Sequence, residues 1–157
     1  MNNCKWITNI NLVNSTYLGY WQQRGWDNDA MYNTGSWIVV PGDTQIAGFF
    51  NLDGSGQVPL GLVPVAGIAF AGDRGISKVE ISADGGNTWT TASLVDPLSQ
   101  YTWVFWSASW NPPATGEYHL EVRATDGEGN LQTATMNAPF PGGATGYQVV
   151  DISVVAS

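Results

Sequence analysis

The 157-residue sequence predicts an all-β sandwich over residues 42–157, preceded by an irregular aromatic arm over residues 1–41. Three observations carry that prediction. Nineteen glycines and eight prolines among many Thr, Val and Ile favour strands and turns over helices, and no stretch reads as a helix longer than a turn or two. Short apolar runs recur between turn clusters such as Asp84-Gly85-Gly86-Asn87, Asn111-Pro112-Pro113 and Asp126-Gly127-Glu128-Gly129-Asn130, the spacing of a two-sheet fold. Within several runs apolar and polar residues alternate, the period of a strand buried on one side. The length suffices for one core without staples.

Taken in order, Lys5 to Val13 spaces Trp6, Ile10 and Leu12 as one face of a short strand. Asn14 to Pro41 has no clean period but carries Tyr17, Tyr20, Trp21, Trp26, Tyr32 and Trp37. So aromatic a segment does not stay solvated, and it is expected to pack across this domain or a neighbour. Strands are then expected near Gln45–Phe50, Val63–Phe70, Ser77–Ser82, Thr88–Leu94, Tyr101–Ser107, Gly116–Thr125, Leu131–Met136 and Gly146–Val155. Gly72 to Trp89 reads as a hairpin unit. Val79 and Ile81 oppose Lys78, Glu80 and Ser82, Asp84 to Asn87 tolerate positive φ, and Trp89 anchors the return.

Two strands differ in kind. In Tyr118 to Ala124 the apolar positions alternate with His119, Glu121 and Arg123, one face in core and one in water. In Tyr101 to Trp110 both faces are apolar: Tyr101, Trp103 and Phe105 on one, Val104, Trp106, Ala108 and Trp110 on the other. A two-layer sandwich buries one face of each sheet, so the second aromatic face calls for a cover, either the arm or a partner.

The chemistry classes thin out quickly. A net charge of −8 repels nucleic-acid backbones and anionic membranes, and the five basic residues form no stripe. The longest apolar run, around Val58 to Ala71, is broken by Pro59, Gly61, Pro64 and Gly67, so the domain is expected to be soluble, without membrane contact. Cys4 is the single cysteine and His119 the single histidine, which excludes an intramolecular disulfide and a thiolate cluster and makes any His-based metal site or triad depend on His119. His119 reads as a solvated strand residue. Asn51 to Ser55 and Asp126 to Asn130 resemble calcium loops but lack the closing acid, and turn chemistry explains both. Eight tryptophans would also suit a sugar-stacking face. A carbohydrate- or calcium-binding surface module is therefore the alternative reading.

Arg74-Gly75-Ile76-Ser77-Lys78-Val79-Glu80-Ile81-Ser82-Ala83-Asp84-Gly85-Gly86-Asn87-Thr88-Trp89 resembles the motif of the C-terminal dimerisation domain of sulfite-oxidase-type molybdenum enzymes. Trp103 to Trp106 and then Arg123-Ala124-Thr125-Asp126-Gly127-Glu128-Gly129-Asn130-Leu131-Gln132 follow in the family's order. Upstream, Lys5-Trp6-Ile7 and Gly19-Tyr20-Trp21-Gln22-Gln23-Arg24-Gly25-Trp26 resemble the linker from that family's cofactor domain. The resemblance covers nearly the whole chain.

It implies an immunoglobulin-like sandwich that pairs with its twin and packs against a cofactor domain lying ahead of this chain. Molybdenum-molybdopterin is expected in that domain, with no catalytic, cofactor-binding or metal residue in this chain. The parent is expected outside the cytoplasm. Trp21, Trp26, Tyr101, Trp103, Phe105 and Trp106 are the candidate interface residues. One departure stands out. Family members resemble one another in an Asn-x-Arg-Gly near the C-terminus whose arginine faces an oxyanion substrate, whereas Ala138 to Ala144 here holds no arginine. Losing a guanidinium would weaken recognition of such an anion.

Overall fold

The computed structural model describes residues 6–29, 31–42 and 56–156. Cys4, the strand expected at Gln45–Phe50 and the loop Asn51 to Ser55 lie outside the described residues. Among the described residues, nine strands form two sheets: β1 (Gly35–Val40), β2 (Gln57–Pro59), β3 (Val63–Phe70), β4 (Ile76–Ser82), β5 (Thr90–Thr91), β6 (Ser93–Leu94), β7 (Val104–Trp110), β8 (Gly116–Asp126) and β9 (Gln148–Val155). One sheet has the order β1-β3-β7-β6 and the other β2-β9-β8-β4-β5. Every pairing is antiparallel except that of β2 with β9. The architecture is an immunoglobulin-like β-sandwich, and among the described residues its helical content is two 3-10 turns, Gln22–Arg24 and Gly72–Arg74.

Alternation builds the core. Val79 and Ile81 from β4, Leu120 and Val122 from β8, and Val150 and Ile152 from β9 meet Ile38, Val65, Ala69 and Trp106 from the other sheet. Trp106 is 1% exposed and its ring lies against Gly67 directly across the ladder. A Cβ at Gly67 would collide with that ring and with the Trp37 carbonyl, so the position has room only for glycine.

The structure corrects several expectations. Residues 35–40, assigned to the arm, form the edge strand β1, so the sandwich begins ahead of the boundary expected at 41/42. Thr88–Leu94 is two strands: Thr90 and Thr91 pair with β4, the chain turns at buried Ala92, and Ser93 and Leu94 join β7 in the opposite sheet. Leu131–Met136 is no strand. A single bridge joins Leu131 to Thr125, after which the Gln132 side chain turns inward and takes the Ala124 N–H that a ladder would have used. Trp106 belongs to the core, because the inward parity of β7 points it away from any partner. Residues 6–13 form no strand here.

Candidate interaction surface

The outward face of the β1-β3-β7-β6 sheet is where the chemistry departs from an ordinary sandwich. Register places Trp37, Ile68 and Phe105 side by side across three strands. Val40, Ala66 and Ser107 form the next row, and Phe70 lies beyond Ile68 opposite Gly35. Phe105 is 61% exposed, and in the preceding β6–β7 turn Tyr101 is 66% and Trp103 52% exposed. No outward position of β1, β3, β6 or β7 carries a charge. Sequence reasoning found Tyr101, Trp103 and Phe105 but missed Trp37 and Ile68. The signal was available, since residues 63–70 are apolar at both parities just as 101–110 are.

The outward face of the other sheet is built differently. Lys78, Glu80, Glu117, His119, Glu121, Arg123 and Asp151 line it. Glu80 receives Lys78 Nζ at 3.1 Å and Arg123 Nε at 3.0 Å, while His119 Nδ1 lies 2.6 Å from Asp151 Oδ1. Burial pushes the Glu80 carboxyl up, but the bonds from Lys78 and Arg123 outweigh it and hold it below the usual carboxylate range. The Arg123 guanidinium also stacks 3.9 Å from the Trp89 ring centroid.

The hairpin after β4 is fixed by its own side chains. The Asp84 carboxylate accepts from Thr88 Oγ1 at 2.6 Å, the Thr88 N–H at 2.9 Å and Ser82 Oγ at 2.8 Å. These bonds, the Thr88 hydroxyl first, lower its pKa to about 2. Gly85 and Gly86 take φ of 69° and 80°, and Trp89 Nε1 donates to the Gly86 carbonyl.

The arm divides in two. Residues 6–18 are exposed throughout, with Trp6 at 92%, so this stretch does not cover the sandwich. Residues 26–33 are instead fastened to the loop Ala138 to Ala144. Trp26 packs edge-on against Phe140 at 5.4 Å, Asp27 N–H donates to the Pro141 carbonyl, and Asn33 Nδ2 donates to the carbonyls of Gly142 and Ala144. Tyr32 meets Phe70 at the rim of the uncharged face. Trp21, 58% exposed, stacks edge-on against Tyr20. Trp21 and Trp26 thus sit with the arm and its loop, apart in the chain from the β7 group.

The motif residues carry structural work. Arg74 Nε pairs with Asp126 at 2.9 Å while its Nη2 donates to the Tyr32 carbonyl and Thr34 Oγ1, tying the arm to β8. Asp126 also accepts from the backbone of Glu128 and Asn130. Burial raises the Asp126 carboxyl, yet those donors together hold it below the usual range. Gln132 Oε1 accepts from Ser36 Oγ and the Ala124 N–H, and its Nε2 donates to the Gly146 carbonyl, so one buried amide bridges both sheets.

Among the described residues no group of three or more His, Cys, Asp or Glu could hold a metal. A phosphate-bearing pterin needs cations to receive it, but Arg74, Lys78 and Arg123 are committed to carboxylates and Arg24 lies over the Tyr20 ring. The described residues do not fit a molybdopterin. The carbohydrate- or calcium-binding alternative finds no support either. Trp106 is core, Trp110 packs on Tyr118, Trp89 lies under Arg123, and both oxygens of Asp126 are taken. No helix among the described residues is long and apolar enough to cross a membrane.

Fold and surface together define an immunoglobulin-like interaction domain, with one charged outer face and one uncharged aromatic one. The profile of the Mo-co oxidoreductase dimerisation domain matches residues 27–144, and the chain belongs to that family. It is 28% identical over 149 residues to the sulfite oxidase of Arabidopsis thaliana, covering 82% of this chain and 37% of the relative. To the mitochondrial sulfite oxidase of Mus musculus it is 24% identical, covering 84% of this chain and 26% of the relative. The chain thus spans about a third of the length of these relatives. Among solved structures, the sulfane dehydrogenase SoxCD of Paracoccus pantotrophus shares the fold, with a TM-score of 0.56, 21% identity, and 80% of this chain against 33% of that chain covered.

Proposed function

We propose that this chain is the non-catalytic pairing module of a molybdenum-cofactor oxidoreductase of the sulfite oxidase type. It joins two copies to each other, and its arm runs toward the cofactor domain. The observation that supports this best is the spending of exposed aromatic side chains, Tyr101, Trp103 and Phe105 on the sandwich and Trp21 on the arm, on a domain whose described polar groups serve its own architecture. Large aromatics at the surface are the usual anchors of protein contacts. The cofactor chemistry belongs to the other domain, and with no arginine in Ala138 to Ala144 the parent's substrate need not be sulfite.

Sedimentation of the chain over a concentration series tests the reading, with a reversible monomer–dimer equilibrium as the expected result. A monomer at every concentration overturns the pairing role. Molybdenum and pterin retained stoichiometrically by the purified chain would overturn the non-catalytic assignment.

A further inference from the structure

We propose that the cleft beside the β4 hairpin, on the outer face of the β2-β9-β8-β4-β5 sheet, binds a small zwitterion with an apolar side chain, an α-amino acid, through Glu121 and Arg123. The site is separate from the pairing role and does not depend on it.

Glu121 is the one charged side chain on this face whose neighbours are all spent elsewhere. It is half-buried, and its carboxylate has no hydrogen-bond or ion-pair partner among the described residues. Across the ladder stand Ser82 on one side and Val149 on the other. Ser82 Oγ is turned to Asp84 and the Gly86 N–H, and Val149 has nothing to donate. Along β8, His119 is drawn to Asp151 and Arg123 to Glu80. A carboxylate taken partly out of water and left unpaired is costly, so this one is placed to receive a donor from outside.

Arg123 supplies the complementary half. Its Nε donates to Glu80 at 3.0 Å, while its Nη1 and Nη2 have no hydrogen bond among the described residues. Glu80 is shared by Lys78 and Arg123, so the cluster of two cations and one carboxylate keeps a positive charge. Two residues along a strand are about 7 Å apart, so an acid and a base with free capacity stand side by side without bonding each other. A lone anion would meet Glu121 and a lone cation would meet Arg123. A ligand carrying an ammonium and a carboxylate on one carbon satisfies both, its carboxylate on the guanidinium fork and its ammonium on Glu121.

The walls specify the rest of the ligand. The cleft has a volume of 760 Å³, within the range of small-molecule sites, and Trp89, Tyr147, Met136 and Val149 line it. A side chain at Gly86 would come within 3.5 Å of both the Glu121 carboxylate and the Trp89 ring, so charge and indole border the same spot. Met136 is 75% exposed and Val149 50%, apolar surface that a ligand side chain would cover.

The test is an NMR titration of the full chain with L-phenylalanine, following the Trp89 indole and Gly86 amide resonances. Phenylethylamine, which lacks the carboxylate, and phenylpropionate, which lacks the ammonium, are the comparisons. Saturable shifts are expected with L-phenylalanine, and each half-ligand is expected to bind about 10-fold more weakly or worse. Glu121→Gln should weaken L-phenylalanine by a similar factor, leave phenylpropionate bound at least as well, and keep the melting temperature. Should that variant melt lower, the three ligands on the wild-type chain decide alone. Absence of saturable shifts with L-phenylalanine, or a half-ligand that binds as tightly, overturns the site, as does undiminished affinity in a folded Glu121→Gln.

Discussion

The two outer faces of this sandwich obey the same alternation and spend it oppositely. On β8 every second side chain is polar, and Arg123 reaches Glu80, His119 reaches Asp151 and Glu117 accepts from Ser153 Oγ. On β7 every second side chain is Phe105, Ser107 or Ser109, and the neighbouring strand answers with Ile68, Ala66 and Pro64. A solvated face costs nothing to expose, whereas an aromatic row left in water forgoes stabilisation at roughly 25 cal/mol per Å². The contrast teaches that one alternation can build a solvated, ion-paired face and an uncharged aromatic one in the same sandwich.

The comparison can be broken at a single strand. Trp106 and Phe105 are adjacent, one inward and one outward. Trp106→Ala should cost about 3–5 kcal/mol as a core truncation and lower the melting temperature, read by calorimetry, whereas substitutions at Phe105 should act on association. The buried Trp106 Nε1 has no hydrogen-bond partner among the described residues. Replacement by Phe would remove that cost and should destabilise far less than Ala.

Next in size is the clamp. Arg74→Ala leaves the Asp126 carboxylate, 2% exposed, without its cation. A loss of about 3 kcal/mol is expected, measurable by denaturant titration, with faster hydrogen exchange in residues 31–34. Restoration to wild-type stability by the double variant Arg74→Ala/Asp126→Asn would show that the loss is charge burial rather than packing.

Acid sharpens the contrast, because titrating groups line only one face. The Asp84 carboxyl has a folded pKa of about 2, below its unfolded value of about 3.9. Its contribution to the hairpin is therefore complete above the unfolded value and is lost as pH falls through the folded one. Amide protection at Gly86 and Thr88, followed by NMR, should persist at pH 4 and fade toward pH 2, and Asp84→Asn should remove this dependence.

The smallest effects are expected on the solvated side. Lys78→Met removes a half-exposed partner of Glu80 and should cost under about 1 kcal/mol, without changing sedimentation. Deleting residues 1–18 should shift the melting temperature by about 2 °C at most, since residues 6–18 are exposed throughout.

Much of the sandwich was legible because alternation is local. The ranges of β3, β4, β8 and β9 follow from residues two apart. β1 was hidden by the register shift between Ile38 and Val40, which breaks the period and lets an aromatic segment read as arm. β2 was hidden because three residues ending in Pro59 pair parallel with β9, nearly a hundred residues later, and leave no local trace. The interface candidates from 101–105 stood out because aromatics at outward parity defy the two-layer rule. Trp106 was misplaced by reading aromatic content without asking which parity the core required. The clamps were unreadable as contacts, because Ser36 meets Gln132 across 96 residues and Arg74 meets Asp126 across 52.

Arg74 has one more consequence, a mechanical one. Its guanidinium grips the arm at Tyr32 and Thr34 and the end of β8 at Asp126, so a tug from whatever precedes the arm is not borne by the edge strand alone. The load divides between the β1 ladder, which would have to slide in shear, and the longest strand of the opposite sheet. A molecule wired in this way transmits displacement as a rigid strut does, and neighbours fixed at its two ends would turn together.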